Sequence, residues 1–444
     1  MKLESVLKDM GVVGAGGAGF PTHIKVSNKC DTVIANGVEC EPLLSNDKYI
    51  IETEGEKIVE GLKAVMQAVG AKKGIIALKE KYYSIAGEIK KTISSNKNIS
   101  LHFLGDYYPA GDEFLLTYEV TRKIIPEGGI PPDVGCIVNN VETLKNIHAA
   151  TEGKPVTRRM LTCTGEVKTP GIINAHIGTP FREIIDLCEP TLEDFVVIVG
   201  GPMMGKVESN LDTPVTKTTT GIIVLPRDHP LIYKKTLRIE HIIKQSKSAC
   251  CQCSYCTDLC PRYLLGHELY PHKIMRQINL GIDIPSEIIQ NAFLCSECGL
   301  CEVFACPMGL SPRIINQKIK ENLLAAGYKP KFSNKENKEI KPREMREFRK
   351  VPGSRIKNRL MLSKYDENSG HFKRGIKTNP KLVEILLKQH AGVFSEPIVK
   401  IGEQVDEGTL IAEIPKGKLG ARIHSSIKGK VTYIDSEKII ITKK

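Results

Sequence analysis

The sequence contains no tryptophan, and aromatic residues make up only 5% of its 444 residues. It also has no apolar run of about 18 residues, the minimum that a membrane-spanning helix needs. The first twenty residues lack the basic segment, apolar core and cleavage site of a secretory signal. These absences predict a cytoplasmic chain without a transmembrane segment.

Positive charge is in excess overall and is concentrated in one region. The formal net charge is +12, and residues 329–377 hold sixteen Lys and Arg against six Asp and Glu. Such a run is typical either of a nucleic-acid-binding segment or of a solvated linker. Because no nucleic-acid motif lies nearby, we predict a basic linker over residues 329–376 and no nucleic-acid partner.

The rest of the chain divides by its pattern. Apolar runs such as TVIANG and KGIIALK alternate with amphipathic helical segments up to about residue 104, which predicts an α/β layer with largely parallel strands. Residues 156–226 resemble a small α+β unit, residues 237–326 are mostly helical, and the last seventy residues are short strands with glycines at turns. The fold class is therefore multidomain, α/β and α+β.

Cysteine is abundant and clustered, since nine of the 14 cysteines lie in two short segments. A cytoplasmic chain keeps thiols reduced, so clustered cysteines indicate metal ligands. The first burst (residues 248–261, SACCQCSYCTDLCP) follows C-x2-C-x2-C-x3-C-P, the spacing of bacterial [4Fe–4S] ligation. Its predicted ligands are Cys250, Cys253, Cys256 and Cys260, with Cys251 left over.

The second burst (residues 294–307, LCSECGLCEVFACP) has four residues, not three, before its last ligand, which we interpret as a local bulge. Its predicted ligands are Cys295, Cys298, Cys301 and Cys306. In such paired sites the fourth cysteine of each burst binds the other cluster. That rule exchanges Cys260 and Cys306 between two [4Fe–4S] clusters. The alternative is a pair of zinc sites, although zinc modules usually offer cysteine pairs, not triplets.

A glycine-rich segment, GVVGAGGAGFPTHIK from Gly11, contains a formal G-x-G-x-x-G at Gly14, Gly16 and Gly19. This pattern occurs in dinucleotide-binding Rossmann folds, but there a full strand precedes it and a helix follows. Here only two valines precede the segment, and Phe-Pro-Thr interrupts it. The loop nonetheless permits backbone amides to approach a phosphate or a flat ring.

The segments GAGGAGFPTHIK, NGVECEPLLSNDK and NNVETL occur in the order found in the NADH-oxidising flavoprotein subunit of respiratory complex I, and the first 150 residues resemble that family. The resemblance implies FMN as cofactor and NADH as electron donor. The residues that it places at FMN are Gly14, Gly16, Gly17, Gly19, Phe20, Lys25, Asn36, Asn139 and Asn140. It places Glu39 and Glu41 near the nicotinamide or the polar edge of the flavin, as the candidate catalytic residues.

The order of the flavin, β-grasp and two-cluster segments resembles RnfC-like electron-transport proteins, in which a barrel-sandwich domain comes first. Here the corresponding segment is C-terminal. That arrangement, with CPRYLLGHELYPHKIMR and REFRKVPGSRIKNRLMLSKY, most resembles PduS-type cobalamin reductases of bacterial microcompartments, over nearly the whole chain. LTCTGEVKTPGIINAHIGTPFREII resembles a β-grasp domain of the soluble-ligand-binding (SLBB) type, and KIGEQVDEGTLIAEI a barrel-sandwich hybrid domain. The implied domains are an FMN/NADH-binding α/β domain (1–150), the β-grasp domain (151–232), a helical two-cluster ferredoxin domain (233–328), the basic linker, and the barrel-sandwich domain (377–444).

The resemblance implies an NADH-dependent oxidoreductase that reduces a corrinoid through FMN and two [4Fe–4S] clusters. Its partners would be a corrinoid or a downstream redox protein, and a microcompartment shell or corrinoid enzyme. Two alternatives stay open. The chain could be the electron-input subunit of an Rnf-type or proline reductase system, or a non-enzymatic iron–sulfur adaptor without flavin.

Overall fold

The computed structural model describes residues 2–281, 286–330, 332, 340–366 and 372–443. None of the helices in these ranges combines the length and the apolar character required to cross a membrane. Four units follow one another along the chain, and each has a buried apolar core.

The N-terminal unit (residues 2–151) is built on a four-stranded parallel sheet in the order β3-β2-β1-β5. Its strands are mainly buried, as expected where helices cover both faces of a parallel sheet. Its elements are α1 (Leu3–Asp9), α2 (Thr22–Lys25), β1 (Thr32–Gly37), α3 (Asn46–Thr53), α4 (Gly55–Val69), β2 (Lys73–Lys79), α5 (Gly87–Ile93), β3 (Ile99–Leu104), β4 (Tyr107–Tyr108), α6 (Glu113–Thr121), β5 (Cys136–Asn140) and α7 (Val141–Thr151).

Helix α4 shows how the sequence pattern produces this packing. The apolar residues between Ile58 and Val69 recur at helical spacing and are buried. Gly61 faces α7 so closely that a Cβ atom there would lie 2.0 Å from the carbonyl oxygen of Leu144. The helix ends at Gly70, whose φ of +75° is the left-handed conformation that glycine adopts without strain.

The β-grasp unit (residues 158–226) has the strand order β7-β6-β10-β8-β9, with the first and last long strands, β6 and β10, parallel at its centre. Helix α8 packs on the sheet through buried Phe181, Ile184 and Ile185. This arrangement is the predicted β-grasp. Its elements are β6 (Arg158–Gly165), β7 (Gly171–His176), α8 (Phe181–Leu187), β8 (Phe195–Val199), β9 (Lys206–Glu208) and β10 (Gly221–Pro226).

The helical unit (residues 230–325) carries both cysteine bursts on short helices. Its α-helices are α9 (Pro230–Thr236), α10 (Ile239–Ala249), α11 (Tyr255–Asp258), α12 (Pro261–Leu264), α13 (Pro271–Asn279), α14 (Glu287–Gln290) and α15 (Pro312–Ala325). A 3-10 turn covers Asn291–Leu294, and a π-helical turn covers Cys301–Ala305. Pro261 occupies the first position of α12, where a missing backbone N–H costs nothing.

The prediction of a solvated basic linker at 329–376 is wrong for the described residues 340–366 and 372–376, which are packed against other units. Arg346 is buried and binds Glu119 of α6 at 2.6 Å, and Lys350 binds the same carboxylate at 3.0 Å. Apolar residues that follow these charges in the sequence, Ile356 among them, are buried in a shared core. The new elements are β11 (Val351–Pro352), α16 (Gly353–Arg359) and β12 (Lys373–Lys377).

These elements also extend existing sheets. Strand β11 pairs with β4 of the N-terminal unit, and β12 pairs with β7 at the edge of the β-grasp sheet. Residues 340–366 and 372–376 therefore belong to the folded body. Two positive charges of the run, those of Arg346 and Lys350, neutralise the buried carboxylate of Glu119, which lies more than 200 positions earlier in the sequence.

The C-terminal unit (residues 382–443) consists of two small antiparallel sheets that enclose one apolar core. Strands β13-β19-β18-β15 form one sheet, and β14-β16-β17 form the other. The strands are β13 (Leu382–Leu386), β14 (Glu396–Pro397), β15 (Gln404–Val405), β16 (Leu410–Glu413), β17 (Ile423–His424), β18 (Gly429–Ile434) and β19 (Lys438–Thr442).

Candidate functional site

A cavity of about 390 Å³, here called the central cavity, lies where the N-terminal, β-grasp and helical units meet. Its floor is the carboxyl edge of the parallel sheet, because Asn36 lies at the end of β1 and Asn140 ends the neighbouring β5. Ligands of open α/β sheets bind at this edge. The volume is in the range of a cofactor pocket.

The glycine loop (residues 11–20) forms one wall of the cavity. The N–H of Gly14 donates to the carbonyl of Phe20 at 2.9 Å, and the N–H of Ala15 donates to Thr143 Oγ1 at 2.8 Å. Gly14, Gly16 and Phe20 line the cavity. Gly17 and Gly19, with φ of +104° and +63°, turn the loop but lie outside the lining.

This loop lacks the surroundings of a Rossmann site. A single bridge between Val13 and Pro21 closes it, and the helix that follows, α2, has only four residues. The Rossmann alternative is therefore not supported by the local structure.

The three predicted asparagines line the cavity but differ in what their side chains bind. Asn36 donates to the carbonyl of Gly111 at 2.9 Å, and Asn140 caps α7 and donates to Asp47 at 2.8 Å. The amide nitrogen of Asn139 is buried and finds no partner in the described part of the chain. A buried donor without an acceptor is costly, so this atom fits a ligand that accepts a hydrogen bond in the cavity.

Lys25 also lines the cavity, where its side chain forms a hydrogen bond with Val138, the residue before Asn139. Its Nζ donates to the carbonyl of Val138 at 3.1 Å and forms an ion pair with Glu113 at 3.2 Å. The lysine is thus held at the cavity wall by groups of the same unit. Its predicted binding of the FMN phosphate stays a prediction.

The two candidate catalytic carboxylates line the cavity in different settings. Burial, and then the nearby Asp47 carboxylate, raise the pKa of Glu39 well above its usual range. Burial also raises the pKa of Glu41, which accepts hydrogen bonds from the backbone N–H groups of Met203 and Met204 at 2.9 and 2.8 Å. Glu41 therefore anchors a loop of the β-grasp unit at the cavity mouth.

The thiols of the first burst surround a second cavity, lined by Cys250, Cys251, Cys253, Cys256 and Cys306. The arrival of Cys306 from the second burst agrees with the crossed ligand sets. Burial, followed by the neighbouring Cys306 and Cys250, raises the pKa of the Cys256 thiol to about 12. Such thiols become ligands only when a cation replaces the proton.

The second ligand set shows the complementary crossing. Burial raises the pKa of Cys260 to about 12, and Cys295 of the second burst contributes to this shift. The pKa values of Cys298 and Cys301 are also raised by burial, and Cys260 contributes to both shifts. These contributions place Cys260 near thiols of the second burst. The exchange of Cys260 and Cys306 between two clusters stays a prediction.

The extra residue of the second burst lies in the π-helical turn, where the N–H of Cys306 donates to the carbonyl of Cys301 at 3.1 Å. A π turn accommodates one additional residue, as the predicted bulge requires. Among the described residues, no group of three or more His, Cys, Asp or Glu is arranged to hold a metal ion.

The central cavity and the second burst are in direct contact. Ser296 and Cys298 contribute to the cavity wall. The hydroxyl of Tyr108, also in the wall, donates to the carbonyl of Cys298 at 2.7 Å. A planar cofactor in the cavity would therefore lie beside the cysteines of the second set, without an intervening layer of protein.

Three domain families match segments of the chain. Residues 7–149 match the Nuo51 FMN-binding domain, residues 249–311 a 4Fe-4S dicluster domain, and residues 371–444 the RnfC barrel-sandwich hybrid domain. These matches confirm the predicted flavin, iron–sulfur and barrel-sandwich domains. They leave the individual ligand residues untested.

Comparison with known proteins gives full-length relatives. The chain is 40% identical over 435 residues to the cobalamin reductase PduS of Citrobacter freundii, covering 98% of this chain and 94% of that protein. It is 39% identical over 445 residues to PduS of Salmonella typhimurium, covering 100% and 96%. The chain belongs to the PduS cobalamin reductase family.

A more distant relative of this PduS-family chain is the RnfC-type component of the Na⁺-translocating ferredoxin:NAD⁺ oxidoreductase complex of Acetobacterium woodii. The two are 36% identical over 269 residues, which is 59% of this chain and 58% of that component. The predicted resemblance to RnfC-like proteins is thus confirmed alongside the PduS resemblance.

Sequence reasoning missed several residues of this PduS-family site. Buried Arg159 of the β-grasp unit donates to the carbonyl of Ala15 at 2.7 Å and pairs with Glu142 at 2.6 Å. Asp47 lines the cavity, and burial raises its pKa to about 7. Asp47 lay within the acidic segment NGVECEPLLSNDK and could have been singled out, whereas no local pattern indicated Arg159.

Proposed function

We propose that this chain is an NADH-dependent flavo-iron–sulfur reductase that delivers electrons to cobalamin. One observation carries the proposal: the central cavity is bounded by the glycine loop on one side and by Ser296 and Cys298 on the other. Family membership supports cobalamin as acceptor, since the full-length relatives are named cobalamin reductases.

The proposed cofactor sites use the predicted residues. FMN, when bound, would convert the two electrons of a hydride into the single electrons that iron–sulfur clusters carry. The backbone of Gly14 and Gly16 would lie along it, and Asn139 would donate a hydrogen bond to it. Lys25 would bind its phosphate. Asn36 and Asn140 would support it from the ends of β1 and β5.

Two carboxyl groups at the cavity, those of Glu39 and Asp47, would set the local charge beside the flavin. Glu39 and Asp47 lie together, since the N–H of Asp47 donates to Glu39 at 3.2 Å, and each holds its proton more firmly than an exposed acid. Carboxyl groups that hold their protons would not repel negative charge at the polar edge of a flavin bound in the cavity. Glu41 would position the Met203–Met204 loop at the entrance.

Two sets of thiolates would hold the clusters. Cys250, Cys253, Cys256 and Cys306 would bind the one remote from the flavin, and Cys295, Cys298, Cys301 and Cys260 the one beside it. The remote site is near the surface, because Cys251 and Cys253 are exposed. It is the proposed exit for electrons.

A second candidate function is electron input to a membrane complex. This second function is favoured by the 36% identity, over the shared 269 residues, to a component of a ferredoxin:NAD⁺ oxidoreductase complex. For the first function we further propose a cytoplasmic location inside a bacterial microcompartment, with its shell or a corrinoid enzyme as partner.

The test is NADH-dependent reduction of cob(II)alamin by the purified, reconstituted protein under anaerobic conditions without membranes. We expect turnover in the wild type and in C251A, which leaves both ligand sets intact. C253A should lose turnover, because it removes one ligand of the exit cluster. NADH:dye activity without cobalamin reduction would favour the second function.

A further inference from the structure

A short segment of the β-grasp unit, residues 216–220 (TKTTT), runs along the back of the glycine loop and is here called the threonine strap. Lys217 Nζ donates to the carbonyl of Gly11 at 2.7 Å. The methyl group of Thr218 is so near Gly19 that a Cβ there would lie 2.8 Å from it. The strap thus contacts both ends of the loop.

The middle of the glycine loop is linked to the threonine strap through Arg159. The carbonyl of Thr219 accepts from Arg159 Nε at 2.8 Å, and the same guanidinium donates to the carbonyl of Ala15. Thr220, the last residue of the strap, lines the central cavity itself. The strap is therefore linked to the wall that faces the proposed flavin at several points.

The C-terminal unit forms hydrogen bonds with both the glycine loop and the threonine strap. The N–H of Ala391 donates to the carbonyl of Gly19 at 3.0 Å. The side-chain oxygen of Gln389 accepts from the backbone N–H of Lys217 at 3.0 Å, and the carbonyl of Arg422 accepts from Lys217 Nζ at 2.8 Å. Lys217, itself a residue of the strap, accordingly binds both the glycine loop and the C-terminal unit.

The position of Lys217 is unusual for a lysine. Its side chain is buried, and both acceptors that the structure gives its ammonium group are backbone carbonyls. Burial lowers its pKa to about 7. A buried amine is stable only where its hydrogen bonds are made, so the two carbonyls have to stay in place.

We propose that the C-terminal unit braces the FMN-binding glycine loop through Lys217, which is a positioning residue for the flavin. The described residues that line the central cavity all precede residue 299, so the C-terminal unit contacts the wall of the cavity from behind, through the loop and the strap. This inference rests on the proposed FMN site and assigns a role to a unit that is remote from the cysteine bursts.

The experiment compares FMN release from three variants of the full-length protein, followed by the fluorescence of free flavin after dilution. Lys217→Met keeps the length of the side chain but donates no hydrogen bonds. Gln389→Ala removes the acceptor for the backbone N–H of Lys217, together with the hydrogen bond that Gln389 Nε2 donates to the carbonyl of Leu386 at 2.9 Å within the C-terminal unit. Lys428→Met is the matched control, because Lys428 is an exposed lysine of the same C-terminal unit that pairs with Asp406 at 2.8 Å.

We expect K217M to release FMN about tenfold faster than the wild type, with a smaller increase in Q389A and none in K428M. Iron content should equal that of the wild type in all three. Excess FMN should restore NADH:dye activity in K217M, because the defect lies in retention and the catalytic residues are unchanged. A general folding defect would not respond to FMN.

Unchanged FMN release in K217M and Q389A would overturn the brace. Joint loss of iron and FMN in both variants, without recovery on adding FMN, would overturn it as well. Failure of the proposed function is distinguishable, since a wild-type protein that binds no FMN at all would refute the flavin site before any variant is compared.

Discussion

At the scale of single residues, the central cavity is lined by polar side chains that differ in whether the protein supplies their hydrogen-bond partners. Asn139 presents a buried donor without a partner among the described residues. Asn140, the next residue, is occupied by the helix cap and by Asp47. Two adjacent asparagines from one motif therefore have separate roles, the first toward a ligand and the second toward the fold.

Replacing Asn139 by Ala should weaken FMN binding about tenfold, since a hydrogen bond to a ligand contributes about 1 to 1.5 kcal/mol. Without FMN the variant should unfold no more easily than the wild type, because the lost donor had no partner in the described part of the protein. Flavin titration and urea unfolding measure the two effects. Exposed Asn28, replaced by Ala, is the control. Unchanged FMN affinity in N139A would remove Asn139 from the site.

Asp47 should make stability depend on pH. Its folded-state pKa is about 7, against about 3.9 in the unfolded chain, so the folded state holds the proton more firmly. Stability from this group is complete below about pH 3.9 and is lost as the pH rises through 7. Between about pH 5 and pH 8 the wild type should lose about 3 kcal/mol more than Asp47→Asn.

Urea unfolding of the flavin-free protein at several pH values tests this difference. The Asn side chain can still accept the hydrogen bond from Asn140, so the substitution changes charge and little else. Parallel pH profiles for wild type and D47N would show that Asp47 titrates normally in the folded protein.

At the scale of elements, the π turn at Cys301–Ala305 accounts for the unequal spacing of the two cysteine bursts. It takes up the additional residue and directs Cys306 toward the thiols of the first burst. Cys260, at the start of α12, is directed the other way by Pro261. The predicted exchange of ligands between the bursts would follow from these two short turns.

The crossed ligand sets predict opposite effects of two otherwise similar substitutions. Cys306→Ala and Cys260→Ala should each lower iron from about eight to about four atoms per chain. In C306A the remaining cluster lies beside the central cavity, so NADH should still reduce it. In C260A the remaining cluster is the remote one, and its reduction should be slow. Electron paramagnetic resonance of NADH-treated samples separates the two cases, and equal behaviour would contradict the crossing.

Much of this element structure follows from local pattern. TVIANG and KGIIALK become β1 and β2 because buried parallel strands have continuous apolar runs. The cysteine spacing likewise places the eight ligand candidates in two sets. By contrast, Arg159 meets Ala15 across 144 positions of sequence, and Arg346 meets Glu119 across 227. Such contacts depend on how the units pack, which no local pattern contains, and the basic run was misinterpreted for that reason.

At the scale of the whole molecule, three units meet at the central cavity. The N-terminal unit supplies the glycine loop and the edge of the sheet, and the helical unit supplies the cysteines. The β-grasp unit adds Arg159, the strap and the Met203–Met204 loop. The segment 340–366 ties α6 to the helical unit through Arg346, Lys350 and a shared apolar core.

The central claim is that electrons pass from NADH through a flavin in the central cavity to two iron–sulfur clusters. The most direct measurement is an anaerobic NADH titration of the reconstituted protein, followed by optical and electron paramagnetic resonance spectra. The account predicts bleaching of the flavin absorbance and reduced [4Fe–4S] signals in the wild type, with both diminished in N139A at limiting FMN. A protein that holds both clusters but shows no cluster reduction by NADH when FMN is bound would contradict it.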